Sequence, residues 1–169
     1  MEWVPFPHKE YLRRTSRAAL SRLRSMRISS ELLSKELCES LNGFPSEQNI
    51  IGSAIDDSRA MQLRLNILIK HEAFRDLTDQ SADPIEVLRI DRIPIVDAAI
   101  LLMANKAQEI AFWRYLLLVC DLADLSDIRP LYETSLGEAE RLDEWLRRAF
   151  ETLVVDQLHL SGVLSAAPP

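Results

Sequence analysis

Apolar residues recur every three or four positions through most of this sequence, which is the spacing of one face of an α-helix. Near the C-terminus, for example, one stripe carries Leu131, Ser135, Ala139, Leu142 and Leu146. No segment shows the alternation of apolar and polar residues that is typical of a β-strand. Glycine is also scarce, with 4 residues among 169, and glycine disfavours helix interiors more than any residue except proline. The sequence therefore predicts an all-α protein.

Residues that start and stop helices predict where the individual helices lie. A break is predicted over residues 28–31, because Ser29 or Ser30 can cap a new helix. A stop is predicted over residues 42–45, where Gly43 can end one helix and Pro45 cannot continue it. The predicted helices cover residues 8–26, 31–41, 47–77, 85–88 (one short turn) and 95–123, and a last helix starts after a cap at Ser126 or Asp127.

Residues 78–97 form a connection that is longer than the usual loop of a helical bundle. Two helical hairpins joined by one long crossover are the arrangement of ferritin-like four-helix bundles. The predicted organisation is thus a basic N-terminal helical extension over residues 1–30, a four-helix bundle over residues 31–156 and a loose C-terminal tail over residues 157–169.

Charge is distributed unevenly along the chain. The net charge is −6, yet residues 1–30 contain seven basic and two acidic side chains. Such an arm can bind an anionic partner by charge, and we name Arg13, Arg17 and Arg24 as candidate partner-binding residues. Docking on the acidic body of the same chain or of a sister subunit is the alternative. No aromatic residues interleave the arginines to stack on bases, so we expect no nucleic-acid partner.

The N-terminus and the cysteines indicate an ordinary intracellular protein. No basic segment followed by an apolar run is present at the start, so no signal peptide is predicted. The longest apolar runs are far shorter than the ~20 residues of a spanning helix. Cys38 and Cys120 form no CxxC motif and are expected to be free thiols. We therefore expect a cytoplasmic protein that does not enter a membrane.

Motifs that carry chemistry are missing from the sequence. A di-iron bundle uses Glu-x-x-His on two of its helices, but the residues three positions before His8, His71 and His159 are Pro, Leu and Asp. Nucleophile-elbow and glycine-rich phosphate motifs are also absent. The sequence therefore predicts no enzymatic activity and no cofactor.

A polar insertion in the apolar helix of residues 95–123 is the most informative feature. Lys106 and Glu109 are three positions apart, so they share a face and can neutralise each other. This pairing would satisfy both charges if that face is half-buried. Two interpretations stay open: an ion pair on the helix surface, or the place where a bundle of this kind once held a metal ligand.

Two segments resemble a known family. The stretch Gln-Glu-Ile-Ala-Phe-Trp-Arg-Tyr at residues 108–115 and the acidic stretch at residues 131–140 are similar to the third and fourth helices of the ferritin-like YciF-type bacterial proteins, which are stress-associated and of unknown function. At the family's ligand positions, Lys106 stands in place of Glu, Ala107 in place of His and Met61 near a His. The resemblance implies a member without a metal site, whose degenerate candidates are Asp57, Lys106, Glu109, Glu138 and Asp143.

The sequence therefore predicts a non-catalytic bundle that acts through protein–protein interaction and forms a homo-oligomer. Trp3, Phe6, Trp113 and Trp145 are more large aromatics than one thin bundle needs to cover. Two alternatives remain at this point. One is a di-iron or di-manganese oxidase or metal-storage protein, and the other is an acidic partner of the immunity or antitoxin type.

Overall fold

Four long α-helices account for nearly all of residues 9–41, 45–75 and 94–160, which are the residues that the computed structural model describes. They are α1 (Lys9–Ser40), α2 (Pro45–Ile69), α3 (Ile95–Cys120) and α4 (Arg129–Leu160), and a 3₁₀ turn, Glu72–Phe74, follows α2. Because these ranges contain no strand, the all-α prediction is confirmed. No helix within them is long and apolar enough to cross a membrane.

Neighbouring helices of this bundle run antiparallel to one another. α1 packs against α2 and α3, while α4 packs against α3 and α2. At one end of the bundle, His71 Nε2 after α2 lies 3.2 Å from Asp127 Oδ2 before α4. At the other end, Ile95 at the start of α3 and Leu153 near the end of α4 line one groove. The chain therefore leaves α2 and enters α3 at opposite ends of the bundle.

The core consists of two apolar clusters, one in each half of the bundle. The first contains Leu20 of α1, Leu65 of α2 and Trp113 of α3. The second contains Leu37 of α1 and Leu146 of α4. Between the two clusters α1, α2 and α3 each turn a polar residue inward, so the middle of the bundle is not apolar. These buried polar residues are Arg27, Ser30, Ser58, Lys106 and Glu109.

The predicted break over residues 28–31 is wrong, because α1 continues through it as one helix of 32 residues. Leu23, Arg27, Ser30 and Ser34 are all buried, and their spacing of three and four keeps one stripe in phase. Packing of this stripe outweighs the preference of serine for helix caps, since neither proline nor glycine interrupts the segment. Residues 9–30 therefore belong to the bundle and are not a separate extension.

Several other helix boundaries also differ from the prediction. α2 ends at Ile69, whereas the predicted end was residue 77. α3 ends at Cys120, whereas the predicted end was residue 123. The last helix begins at Arg129 and continues to Leu160, so the boundary of the tail at residue 157 is wrong. Four segments that the predictions covered lie outside the described ranges. They are residues 1–8, the stop over residues 42–44, nearly all of the crossover over residues 78–97, and the tail beyond residue 160.

The α3–α4 turn carries the hydrogen bonds of a motif that ends helices, and its first bonds extend the last turn of α3 to Ala123. The Leu125 N–H donates to the Cys120 carbonyl at 2.9 Å, and Asp124 takes a left-handed conformation with a φ of 56°. This combination is the Schellman motif that commonly ends helices, although its left-handed position is usually glycine. The Cys120 thiol also donates to the Leu125 carbonyl at 2.9 Å. The turn thereby satisfies carbonyls that the helix end leaves without partners.

The large aromatic side chains are mostly used inside the bundle. Trp113 is fully buried and packs against Tyr132 with ring centroids 5.9 Å apart. Trp145, in contrast, is 47% exposed. Trp3 and Phe6 lie outside the described residues. Of the two tryptophans among the described residues, only Trp145 has a side chain that the bundle leaves partly exposed.

Candidate functional site

A charged layer lies at the centre of the bundle and consists of Arg27 of α1 and of Lys106 and Glu109 of α3. All three side chains are at most 2% exposed. Lys106 Nζ donates to Glu109 Oε2 at 2.7 Å, and Arg27 Nε forms an ion pair with Glu109 Oε1 at 3.0 Å. Trp113 Nε1 also lies 3.4 Å from Glu109 Oε1. Both oxygens of the one carboxylate are therefore occupied by cationic or N–H groups.

The position of Glu109 on α3 explains why the Lys106 and Trp113 side chains reach its carboxylate. Lys106 is three residues earlier and Trp113 four residues later, so one face of α3 presents all three side chains. Arg27 reaches the same point from α1, which crosses α3 in antiparallel orientation. Its Nη2 group also lies 2.7 Å from the Met61 sulfur of α2, which is a weak acceptor. The charged layer thus joins three helices.

Burial changes the protonation chemistry of the two cations. Burial lowers the pKa of Lys106 to about 8, against the attraction of Glu109, which raises it. Burial also lowers the pKa of Arg27, and Glu109, Glu138 and Asp57 oppose this. At neutral pH a pKa of about 8 still favours the ammonium form of Lys106, and the guanidinium of an arginine such as Arg27 stays charged in proteins. Two positive groups therefore face a single fully buried carboxylate.

A second ion pair links α2 to α4 beside the charged layer. Arg64 donates to both oxygens of Glu138, at 2.6 Å and 3.1 Å. The same guanidinium lies 3.4 Å from the Ser135 hydroxyl. Both partners are partly buried, and two-pronged arginine–carboxylate pairs are among the stronger charge-assisted interactions. Glu138 is therefore committed to a structural contact.

The predicted degenerate metal residues do not converge on one point. Asp57 is exposed on α2, and Asp143 pairs with Arg147 at 2.8 Å. Glu109 faces two cations, and Glu138 is held by Arg64. Among the described residues no group of three His, Cys, Asp or Glu side chains is arranged to hold a metal ion.

The donor set around Glu109 does not fit the divalent metals that a ferritin-like bundle would imply. Such a site needs several carboxylates and two imidazoles around its ions. Here Arg27 and Lys106 lie within 3.0 Å of the only fully buried carboxylate of the layer, and their charges repel a divalent cation. The interpretation of Lys106–Glu109 as a surface pair is wrong, because both side chains are fully buried.

Two of the three predicted partner-binding arginines contact their own chain. Arg13 Nε donates to the Ala123 carbonyl after α3 at 2.9 Å, and Arg17 Nη1 donates to the Phe74 carbonyl at 3.1 Å. Cations at helix C-termini satisfy unpaired carbonyls and favour the negative end of the helix dipole. Arg24 is exposed. The structure thus assigns Arg13 and Arg17 to holding α1 against the ends of other helices.

Arg27 and Arg64 were not identified as site residues from the sequence. Arg27 was counted with the basic residues of the N-terminal segment, although it follows Leu20 and Leu23 on the buried stripe. Its position at the three–four spacing of this stripe was the available signal. Arg64 has no comparable signal, because it is adjacent to the stripe residue Leu65 and its partner Glu138 is 74 positions away.

Comparisons with known protein families, with curated protein sequences and with solved structures find no match to this chain.

Proposed function

We propose that this chain is a non-catalytic helical-bundle protein with ferritin-like connectivity that acts through contacts with other protein surfaces. Two features support the connectivity. Neighbouring helices are antiparallel, and the chain leaves α2 and enters α3 at opposite ends of the bundle. One long crossover between the second and third helices is what ferritin-like bundles use to join such ends.

The observation that carries the proposal is the pairing of Glu109 with two buried cations. Bundles of this type perform chemistry with side chains that project into the middle of the bundle. In this chain the central carboxylate binds Arg27 and Lys106 of the same molecule, at 3.0 Å and 2.7 Å. The interior therefore serves stability, and the outer surface is where the protein acts.

Apolar side chains on the outside of the bundle support protein partners. Leu63 and Ile67 on α2 are 67% and 65% exposed, and Leu118 on α3 is 76% exposed. Leu63 and Ile67 lie one turn apart, so they form one patch. Contiguous exposed apolar surface marks interaction sites more often than scattered single residues do.

Metal analysis of the purified protein tests the proposal against the oxidase and metal-storage alternatives. We expect protein from iron- and manganese-supplemented cultures to contain no stoichiometric metal. Lys106→Glu should gain weak binding at best, because Arg27 still holds Glu109. Lys35→Glu is the matched control, since it makes the same charge change at a partly exposed position that pairs with Glu31. About two metal ions per wild-type chain would overturn the proposal.

Partner capture from the source cells tests the role of the surface. Lys106→Met changes only the interior, so a protein that co-purifies with the wild type should also co-purify with this variant. Thermal unfolding of the variant checks that the bundle is intact. Loss of the partner from a folded Lys106→Met protein would place the activity in the interior and contradict the proposal.

A further inference from the structure

One outer side of the bundle, formed by α1 and α2 together, carries four apolar side chains that remain exposed. Ile28 and Leu32 on α1 are 42% and 39% exposed. Leu63 and Ile67 on α2 are 67% and 65% exposed. Residues four positions apart lie on one side of a helix, so each helix contributes one pair. We call these four residues the α1–α2 face.

A hydrogen bond between the two helices shows that the two pairs are neighbours. Gln62 Nε2 of α2 donates to Glu31 Oε2 of α1 at 2.8 Å. Leu63 follows this glutamine along the chain. Ile28 and Leu32 lie three positions before this glutamate and one position after it. The four residues therefore form one patch that extends across two helices, and contiguous exposed apolar surface is typical of interaction sites.

Arg24 lies beside the Ile67 end of this face. Arg17 Nη1 donates to the Phe74 carbonyl at 3.1 Å, and Arg24 is midway along α1 between Arg17 and the glutamate that accepts from Gln62. Because α1 and α2 are antiparallel, Arg24 is level with the midpoint between Gln62 and Phe74. That midpoint is the position directly after Ile67.

Positive charge without a counter-ion is concentrated at this end of the face. Arg24 and Lys70 are exposed, and neither forms an ion pair with any residue in the part of the chain that the structure describes. The acid in the middle of the face is already paired, because Lys35 Nζ and Arg59 Nε lie 2.7 Å and 3.9 Å from Glu31 Oε1. A chain with a net charge of −6 thus presents an apolar patch with two unpaired cations at one end.

We propose, on the basis of the function proposed above, that the α1–α2 face binds an acidic amphipathic segment of another protein. The apolar side of that segment covers the four residues of the face, and its acidic side chains pair with Arg24 and Lys70. Amphipathic helices bind apolar grooves through residues at three–four spacing, and complementary charges fix the orientation of a partner. Glu36 is exposed one turn beyond Leu32, so the acids of the partner belong at the opposite end, beside Ile67.

The distribution of charge favours a protein segment over an anionic membrane. An anionic bilayer presents negative charge to the whole face, so it meets Glu31 in the middle and Glu36 at one end as well as the two cations. A protein segment has acids only at particular positions, and these can lie beside Arg24 and Lys70 alone. The rest of this acidic chain repels such a segment, which directs it to this face.

Fluorescence anisotropy of two labelled synthetic peptides tests the charge of the partner against the whole chain. One peptide is an amphipathic helix with leucine at three–four spacing and glutamate at the flanking positions, and the other has lysine in place of each glutamate. We expect the glutamate peptide to bind roughly tenfold more tightly, and its affinity should fall as salt screens the exposed charges. Equal affinities, tighter binding of the lysine peptide, or binding of neither peptide would overturn the proposal.

Matched variants test where the glutamate peptide binds. Leu63→Glu and Arg24→Glu should each raise its dissociation constant by roughly tenfold. Leu118→Glu is the control for the first, because Leu118 on α3 is 76% exposed. Arg22→Glu is the control for the second, because residues two positions apart do not share a side of a helix. All four positions are exposed, so thermal unfolding should confirm intact bundles. Controls as damaging as the test variants would contradict the proposal.

Photo-cross-linking in the source cells tests the natural partner. A benzophenone amino acid at position 63 should cross-link to an acidic amphipathic segment, which mass spectrometry identifies, and the same group at position 118 should not. No product at position 63, or a product with a basic segment, a lipid or a second copy of this chain, would overturn the inference. A partner that still co-purifies with Leu63→Glu and Arg24→Glu would also overturn it, but would leave the proposed function in place, because the contact then lies elsewhere on the surface.

Discussion

Replacing Glu109 with glutamine should be far more damaging than replacing Lys106 with methionine. Glu109→Gln keeps the size of the side chain but removes the only carboxylate that the described residues place within 3.0 Å of the two buried cations. Breaking a buried ion pair by removing one partner costs about 3–5 kcal/mol. Here one substitution leaves two cations without their carboxylate, so the cost should lie at or above that range.

The corresponding change in melting temperature is large enough to measure easily. For a chain of this length each kcal/mol shifts the midpoint by about 2–4 °C, so Glu109→Gln should lower it by roughly 6–20 °C. Lys106→Met removes the excess cation and leaves Arg27 paired with Glu109. Its free energy of unfolding should change by less than about 1.5 kcal/mol, since Glu109 keeps Arg27 as its counter-ion and no buried charge is left unpaired.

The double variant separates loss of charge pairing from simple mispacking. Adding Lys106→Met to Glu109→Gln removes one of the two unpaired cations, so it should recover part of the lost stability. Urea unfolding at pH 7 of the four proteins completes the cycle. If Glu109→Gln costs no more than Lys106→Met, or if the double variant is additive, the charged layer does not stabilise the bundle as described.

Three further predictions concern protonation and helix ends. Burial lowers the pKa of Lys106 to about 8, so the unfolded chain binds this proton more tightly than the folded chain does. The stability of the wild type relative to Lys106→Met should therefore rise between pH 8 and 9.5. A difference in urea midpoints that stays constant over this range would argue against it. Arg13→Ala should lose about 1 kcal/mol by leaving a helix-end carbonyl unpaired, whereas exposed Arg24→Ala should change the melting temperature by less than ~2 °C. In a Lys9→Ala background, where the exposed Lys9–Asp124 ion pair is already absent, Asp124→Gly should gain about 0.5–1 kcal/mol, because glycine takes the left-handed conformation without strain, and a lower melting temperature would contradict this.

How much of this fold the sequence predicts depends on how local the signal is. The apolar spacing predicts most of the buried faces, although Leu131 is exposed and Tyr132 is buried in its place. Pro94 correctly predicts the start of α3, because this signal, like the apolar spacing, lies within a few residues. The prediction of a break at residues 28–31 was wrong, because tertiary packing of the buried stripe outweighs the preference of serine for helix caps. Two of the three members of the charged layer could also be paired from the sequence, because Lys106 and Glu109 are local to one helix. For the third member, the spacing of the α1 stripe indicates that Arg27 faces inward, but no spacing rule links it to a partner 82 positions away.

The height at which Arg27 meets Glu109 also determines how the helices are aligned along the bundle. Sliding α1 by one turn, ~5.4 Å, would bring Leu23 or Ser30 opposite Glu109 and push a guanidinium into an apolar cluster. Leucine clusters alone tolerate such a slip, since one leucine takes the place of another. A misplaced charge in the interior does not, because it is left without a partner. The charged layer therefore fixes the register of α1 against α3. It replaces apolar contacts at mid-height of the bundle with charged ones, which are paired in only one alignment of the two helices.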